Sequence, residues 1–270
     1  MGMRWYVTGT GQTYFVSRPV EFTFGSPVTE PGRFPEEVPH RRRIERSFAV
    51  ATREVTVAEF LRVLPAHVWD REYTPEDSAP AITVTWYEAA EYCNRLSEQE
   101  GIPEREWCYE RNEQGKYAEG MRTKPGHLRL SGYRLPTGAE WEYSCRAGAG
   151  TSRPYGRGAD LLPRYAWGPK NSDERTWPVG QLRPNDFGLF DTLGNAEEWV
   201  QDAYFQNEPV RPKDDVYGPP EVVEQQSRIL RGGAYRAATL AVVRSAIRHG
   251  VRPGLRNNTF GFRPARTIPE

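Results

Sequence analysis

The chain has 270 residues, of which 37% are hydrophobic, and its 36 basic side chains balance its 36 acidic ones. This length suits one large domain or two small ones, and the many Trp, Tyr and Phe residues are enough to build a sizeable core. A net charge near zero gives no general attraction to nucleic acid or anionic membrane, and no apolar run approaches membrane-spanning length. We therefore expect neither nucleic acid nor membrane as a partner.

The cysteines give an expectation about the compartment. Cys93, Cys108 and Cys145 form no CxxC pair and cannot all be bridged within one chain. The N-terminus shows no basic and then apolar leader. We expect a cytoplasmic protein with reduced cysteines that are buried in the core rather than catalytic.

Alternating residues predict strands near the N-terminus. Gln12–Ser17 and Val20–Phe24 alternate polar and apolar side chains, and we expect two antiparallel strands joined at Arg18-Pro19. Residues 47–52 predict a third strand. The basic run at 41–43 favours a solvated strand edge over a binding patch.

Three helices begin with the same signal, a threonine followed three residues later by a glutamate. The threonine hydroxyl accepts from an N–H of the first turn, and the glutamate reaches back to the N–H of the threonine. We interpret these glutamates as helix caps rather than catalytic acids. The pairs are Thr56 and Glu59, Thr85 and Glu88, and Thr137 and Glu140.

Two stretches carry little predicted regular structure. Residues 107–130 are polar and contain glycine, which predicts an excursion with at most a short hairpin. After Gly148, aromatic residues lie among Gly, Pro and Arg, and so long a loop needs aromatic packing or bound cations to order it. Strand-rich ends around a helix-rich middle predict one mixed α+β domain over residues 1–270.

The C-terminal segment, residues 231–266, has regular ends and an irregular middle. Gly232 and Gly233 allow a sharp bend, and residues 260–263 predict a short strand. The middle follows neither a period of 2 nor one of 3.6, and the segment contains no Asp, Glu, Lys, Gln, Met or Trp. This predicts either a surface whose side chains are free to vary or a final hairpin with a basic loop.

Motifs along almost the whole chain resemble those of the formylglycine-generating-enzyme (sulfatase-modifying factor) family. The resemblance implies a compact, loop-rich variant of the C-type-lectin fold, with both termini in one antiparallel sheet and often with bound calcium. The motifs, in order, are residues 83–93, 133–143, 178–180, 184–191 and 194–199, then Arg231-Gly-Gly and Gly261-Phe-Arg.

The enzymes of that family use a pair of cysteines just after Arg-Gly-Gly to bind copper and activate oxygen. This chain has Ala237 and Val242 at the matching positions, and neither supplies the thiolate that such chemistry needs. We therefore expect no copper and no enzymatic activity. A formylglycine-generating-enzyme-like oxidoreductase and a pseudoenzyme sensor module of a signalling protein stay open as alternatives. The histidines are scattered and form no iron site: His40, His67, His127 and His249.

The C-terminal segment is also similar to that of the variable proteins of diversity-generating retroelements. Their last segment is rewritten mainly at asparagine codons, and randomising the first two bases of such a codon cannot produce Lys, Glu, Gln, Met or Trp. We expect a monomer that binds an unknown protein or peptide, anchored at Tyr235 and Arg236, with Arg244, Arg248, Arg256 and Phe262 holding the loops from beneath. The expected ligand-binding residues are Tyr235, Arg236, Thr239, Leu240, His249, Val251, Leu255, Asn257 and Thr259.

A tight turn offers a candidate calcium site. Asp191 and Glu198 flank Gly194-Asn195-Ala196, and hard oxygen ligands at such spacing suit Ca²⁺. By resemblance, Asp191, the carbonyl of Ala196 and Glu198 match a calcium site of the family. Asn171 with Asp186 would serve a second one. The alternative is a plain turn, and Glu197 stands where the family usually has an aromatic residue.

Overall fold

The computed structural model describes residues 4–206, 210–214 and 218–269, and its helices and strands form the mixed α+β fold that the sequence predicts. The α-helices in these residues are α1 (Val57–Val63), α2 (Trp86–Gln99) and α3 (Gly138–Arg146). The strands are β1 (Arg4–Val7), β2 (Thr13–Ser17), β3 (Val20–Phe24), β4 (His40–Ile44), β5 (Phe48–Ala51), β6 (Tyr109–Glu110), β7 (Arg122–Thr123), β8 (Tyr133–Arg134), β9 (Glu197–Ala203), β10 (Arg228–Arg231), β11 (His249–Val251), β12 (Phe260–Gly261) and β13 (Ala265–Thr267).

All three predicted helix starts are confirmed. In each helix the cap threonine accepts from the N–H of the glutamate three residues on, and that glutamate accepts from the N–H of the threonine. The end of α3 is also set by residues next to it in sequence, because Ala147 takes a left-handed φ of 49° before Gly148 and stops the helix. The bounds of these helices follow from interactions between near neighbours in sequence.

The two ends of the chain meet in one five-stranded sheet with the order β1-β2-β5-β13-β8. Each neighbouring pair in it is antiparallel. This confirms the predicted sheet of N-terminal and C-terminal strands. It also confirms residues 47–52 as a strand beside β2.

The predicted hairpin at Arg18-Pro19 is wrong, although both of its strands exist. β2 pairs with β1 on one side and with β5 on the other. A strand has only two hydrogen-bonding edges, so β3 has no edge of β2 left to join. It pairs instead with β4 in a separate two-stranded sheet, where the basic run at 41–43 lies.

A second sheet, with the order β11-β10-β9-β12, carries the C-terminal segment. β10 and β11 are antiparallel, whereas β12 runs parallel to β9. The core behind this sheet includes the fully buried rings of Trp86, Trp141 and Trp199. The segment therefore begins and ends on rigid structure, as its Arg-Gly-Gly and Phe-Gly-Phe ends predict.

The two stretches with little regular structure are ordered by different means. Residues 107–130 contain the short β6–β7 pair, as predicted. In the loops after Gly148, Tyr155 stacks on Tyr165 with 4.4 Å between ring centroids. Trp167 stacks on Trp177 at 4.6 Å, so aromatic packing accounts for much of the order there.

Two further expectations concern the whole chain. Cys93, Cys108 and Cys145 are all free and buried, as predicted. Among the described residues, no helix combines the length and the apolar content that crossing a bilayer requires.

Candidate functional site

The C-terminal segment leaves the second sheet at two left-handed glycines. Gly232 and Gly233 have φ values of 89° and 73°, which side chains of other residues rarely allow. A Cβ at Gly232 would also lie only 3.0 Å from the carbonyl oxygen of Thr192. The turn therefore requires glycine, and it directs the chain into the loop that precedes β11.

Arg244 holds this loop against the N-terminal part of the chain. Its guanidinium is almost fully buried and donates to Glu30 and Glu37 at 2.7 and 2.8 Å. Ser26 Oγ also donates to Glu37. Burial alone would raise the pKa of Glu37, but the hydrogen bonds from Arg244 and Ser26 outweigh it and hold that pKa below its ordinary value.

The other predicted supports contribute in different ways. Arg248 donates to the backbone carbonyl of Glu36 at 2.7 Å. Arg256 forms a two-point ion pair with Glu88 at the start of α2, at 2.6 and 2.7 Å, although its own side chain is about half exposed. Phe262 is fully buried. These contacts show that the four residues support the loops. Arg256 does so from an exposed position rather than from beneath them.

Most of the predicted ligand-binding residues face solvent. Arg236, Thr239, His249, Leu255 and Asn257 are exposed. Leu240 and Thr259 are half-buried.

Two of the predicted ligand-binding residues are wrong. Tyr235 has no exposed surface, because its backbone N–H donates to Asn195 and its carbonyl accepts from Ser172, which draws the residue beneath the loop. Val251 is 6% exposed and belongs to the main hydrophobic core. It pairs with Arg228 at the end of β11. Neither side chain is placed to contact a ligand, so Arg236 stays as the one predicted anchor at the surface.

A cavity of about 330 Å³ opens among these loops. Phe34 and Glu197 come from elsewhere in the chain, and every other residue around it belongs to the C-terminal segment. Three predicted ligand-binding residues share it, namely Arg236, His249 and Thr259. The remaining wall residues are Gly233, Ala234, Ala237, Ala238, Val242, Ile247 and Arg248.

Ala237 and Val242 both line this cavity. They stand at the positions where the resemblance implies the cysteine pair of the enzymes. The cavity therefore presents a methyl group and an isopropyl group where copper chemistry needs two thiolates. The residues present do not fit a copper ion.

The chain's own cysteines do not replace that pair. Burial raises the pKa of Cys93, Cys108 and Cys145, that of Cys108 to about 12, so all three are neutral thiols at pH 7. The Cys145 thiol donates to Ser245 Oγ at 3.4 Å. Their surroundings are those of core residues.

Charges of both signs surround the cavity. His249 Nδ1 lies 3.4 Å from Glu197 Oε1, and this hydrogen bond raises the pKa of His249 above its ordinary value. Arg236 lies 3.8 Å from Glu174 and over the ring of Tyr73. The walls between these groups are mainly apolar.

The carboxylate of Glu198, a predicted calcium ligand, already has protein partners. Arg263 donates to both of its carboxylate oxygens, at 2.6 and 2.7 Å, and Trp141 Nε1 donates to one of them at 2.8 Å. All three side chains are buried. A guanidinium thus already neutralises the carboxylate that a calcium ion would bind.

Asp191 lies in the same buried cluster. Its Oδ2 accepts from the N–H of Gly180 at 2.7 Å. Burial raises its pKa to about 6. Glu54 accepts from Asn195 and from the N–H of Ala196, and burial together with the charges of Asp191 and Glu198 raises the pKa of Glu54 well above its ordinary value. Hydrogen bonds hold most of the turn, but Asp191 Oδ1 is buried without a hydrogen-bond partner among the described residues.

The second predicted calcium site is not supported by its contacts. Asn171 Oδ1 accepts from the N–H of Gly168, and its Nδ2 donates to the carbonyl oxygens of Pro163 and Ala166. Asp186 is exposed. Asn171 acts as a turn residue. Across the described residues, no group of three or more His, Cys, Asp or Glu side chains is arranged to hold a metal.

Similarity to known proteins identifies the family of this chain. Residues 12–268 match the Sulfatase-modifying factor enzyme 1-like domain, and the chain belongs to that family. The formylglycine-generating enzyme of Streptomyces coelicolor is 30% identical over 91% of this chain and 86% of its own length.

Other relatives match over a smaller part of their length. The chaperone protein LppX of Paenibacillus barcinonensis is 29% identical over 59% of this chain, and the match covers 60% of that protein. The serine/threonine-protein kinase pkn1 of Chlamydia pneumoniae is 35% identical over 53% of this chain, and the match covers 22% of the kinase. The chain spans less than two thirds of the length of these two relatives.

Solved structures share the fold over nearly the whole chain. Treponema denticola variable protein 1 superimposes with a TM-score of 0.81 at 24% identity, covering 99% of this chain and 100% of that one. PvdO from Pseudomonas aeruginosa gives a TM-score of 0.77 at 23% identity, covering 98% of each chain. The fold is therefore the C-type-lectin-like fold that the sequence predicts.

Sequence reasoning missed two features of the site. One is the contribution of Phe34 and Glu197 to the cavity, since the sequence marks Glu197 only as a departure from the family. The other is the link from Arg244 to Glu30 and Glu37, which are more than 200 residues away in the chain. A basic residue in the segment gives no sign of which distant carboxylate it meets.

Proposed function

We propose that this chain is a non-catalytic ligand-binding protein that displays a variable C-terminal surface on a C-type-lectin scaffold. The observation that carries the proposal is the cavity built almost entirely by the C-terminal segment, with Ala237 and Val242 in its wall. Loops over a rigid scaffold commonly carry binding functions. We expect the ligand to be a protein or peptide.

The composition of the segment supports variability. It lacks the residue types that rewriting of asparagine codons cannot produce, and it keeps a buried set of Gly, Arg and Phe at its ends. Similarity of fold to Treponema denticola variable protein 1 adds support. The specific proposal is the variable protein of a diversity-generating retroelement.

A codon-randomised library tests this proposal. One library varies the codons of Arg236, Thr239, His249, Leu255 and Asn257, all of which are exposed. A matched library varies an equal number of buried positions of the same segment: Arg231, Tyr235, Arg244, Phe262 and Arg263. We expect most members of the first library, and few of the second, to resist protease when displayed on yeast. Equal losses in both would contradict a surface that is free to vary.

An activity assay tests the non-catalytic part. With copper, oxygen and a cysteine-containing sulfatase peptide, we expect no formylglycine above a control without protein. The Streptomyces coelicolor enzyme is the positive control. The double variant Ala237→Cys/Val242→Cys is the matched control for the missing thiols, measured by Cu(I) binding. Turnover by the unmodified chain would overturn the proposal and favour the oxidoreductase alternative.

A second candidate function is a pseudoenzyme sensor module of a signalling protein. The match to part of the Chlamydia pneumoniae kinase favours it, because that match covers 22% of a longer protein that is named as a kinase. Genome context separates the two candidates. A repeat of the segment beside a reverse-transcriptase gene supports the variable protein, whereas a kinase or protease domain in the same reading frame supports the sensor.

For the metal, the proposal is that Arg263 takes the place of calcium in neutralising the buried acidic cluster. Its guanidinium contacts Glu198 directly. We therefore expect the same melting temperature in a chelator and in millimolar Ca²⁺. A calcium-dependent rise that Glu198→Gln abolishes would show that the ion binds after all.

A further inference from the structure

We propose that the cavity of the C-terminal segment selects an acidic peptide, with one apolar side chain entering the cavity and carboxylates on the flanking residues. This inference rests on the proposed binding function and names its ligand class. It follows from the shape of the cavity, from the charges around it and from the charge of the surrounding segment.

The size and walls of the cavity suit one large apolar side chain. Its volume of about 330 Å³ is near the lower end of the range of ligand pockets. Ala234, Ala237, Val242 and Ile247 provide aliphatic surface. Phe34, which is 42% exposed, adds an aromatic face at the edge. An aromatic or aliphatic side chain would bury this surface, whereas a polar one would lose its hydration without a matching partner.

The charged groups in the wall carry a net positive charge. Arg236 and Arg248 oppose Glu197, the one acidic residue among those that line the cavity. Glu197 already pairs with His249. A cationic peptide would meet these arginines, whereas a carboxylate beside the inserted side chain would gain a charge-assisted hydrogen bond from Arg236.

The rest of the segment extends the same charge. It contains eight arginines and no acidic residue. Arg236, Arg252 and Arg256 are exposed, and Arg256 pairs with Glu88. A ligand that contacts the segment itself therefore meets positive side chains, although Arg236 and Arg256 also face Glu174 and Glu88 of the scaffold. Because complementary charge sets both specificity and association rate, we assign the ligand as acidic.

A peptide library provides the probe. Linear 12-residue peptides, displayed with all residue types, are selected on the unmodified chain and depleted on Ala237→Trp, whose indole fills the cavity. Thermal unfolding checks that this variant folds. We expect the retained peptides to carry net negative charge and one aromatic or aliphatic residue among the acidic ones. Affinity of a chosen peptide should fall as salt rises.

Charge-reversal variants then test the contact itself. Arg236 is exposed, so Arg236→Glu leaves the core untouched. It should weaken a selected acidic peptide about tenfold or more. Arg105→Glu is the matched control, because Arg105 is exposed in the stretch 104–106 and does not line the cavity. It should leave the affinity within about twofold, because a charge outside the contact surface is screened by salt.

The outcomes separate this inference from the function on which it rests. Neutral or basic peptides that depend on the open cavity would overturn the acidic assignment and leave the binding function intact. If no peptide depends on the cavity, the acidic-peptide assignment fails, whereas the binding function is decided separately by the codon-randomised libraries. If a 12-nucleotide oligothymidylate binds as tightly as the best peptide and Arg236→Glu weakens both, the surface recognises negative charge alone and the peptide assignment is wrong.

Discussion

The C-terminal segment contains two sets of residues that share one stretch of chain and obey different physical constraints. The buried set is Arg231, Tyr235, Arg244, Phe262 and Arg263, and it is almost free of solvent contact. The outward set is Arg236, Thr239, His249, Leu255 and Asn257, and it is exposed. Close-packed interiors respond to the loss of a single methylene, whereas exposed sites tolerate most substitutions. The segment can therefore keep its shape while its surface changes.

The buried set also differs from the outward set in the reach of its contacts. Arg244 joins the segment to Glu30 and Glu37, and Arg231 joins it to Glu142 of α3 at 2.7 Å. The ion pairs of the outward set are looser or more exposed, as between Arg236 and Glu174. Loops of irregular structure are thus ordered by a few buried guanidiniums, each of which can bond several acceptors at once.

Removing a buried guanidinium should give the largest effect. Arg244→Met leaves Glu30 and Glu37 buried without their cation, which we expect to cost about 3–5 kcal/mol of unfolding free energy. Arg252→Met, at an exposed position of the same segment, should change it by less than about 0.5 kcal/mol. Urea unfolding of both variants measures the difference. A small cost at Arg244 would mean that the loops are ordered by something else.

Deleting core side chains should give a graded series. Phe262→Ala should cost about 3–5 kcal/mol. Val251→Ala should cost about 1.5–3 kcal/mol because Val251 is buried. Leu255→Ala, at a side chain that is 50% exposed, should cost less than about 1 kcal/mol. Thermal and urea unfolding measure the loss of unfolding free energy in each variant. A loss at Val251 as small as that at Leu255 would show that Val251 does not contribute to the core.

Acid should weaken the link between Arg256 and α2. Burial alone would raise the pKa of Glu88, but hydrogen bonds from His67 and Arg256 hold it at about 2. A carboxyl group with a lowered folded-state pKa stabilises the fold above its unfolded value of about 4.5 and loses that contribution as pH falls toward 2. The unmodified chain should therefore lose unfolding free energy between pH 7 and pH 3. In Glu88→Gln this loss should be smaller by about 1–2 kcal/mol. Equal pH dependence in both proteins would contradict this link.

The smallest effect is expected at the pair of His249 and Glu197. The hydrogen bond from Glu197 raises the pKa of His249 above 6.5. Its stabilisation is therefore complete below pH 6.5 and is lost as pH rises through the folded-state pKa. Because His249 is more than half exposed, screening keeps the contribution below about 1 kcal/mol. An NMR titration should show the pKa of His249 falling toward 6.5 in Glu197→Gln, and an unchanged pKa would exclude the pair.

The sequence alone predicts the parts of this protein that depend on near neighbours. The three helix starts are capping boxes whose two residues lie three positions apart. The left-handed Gly232 and Gly233 and the short β12 follow from residue type in the same way. Ordered motifs along the chain predict the family and the fold.

Only the tertiary structure decides which polar side chains find partners and which loop residues are buried. Glu198 has the spacing of a calcium ligand, yet Arg263, 65 residues later, takes both of its oxygens. Tyr235 follows the same irregular pattern as Arg236, yet a backbone contact with Asn195 buries it. Phe34 reaches the cavity from the other end of the chain. Such contacts join residues far apart in sequence, and their choice depends on the packing of the whole molecule, which no local pattern encodes.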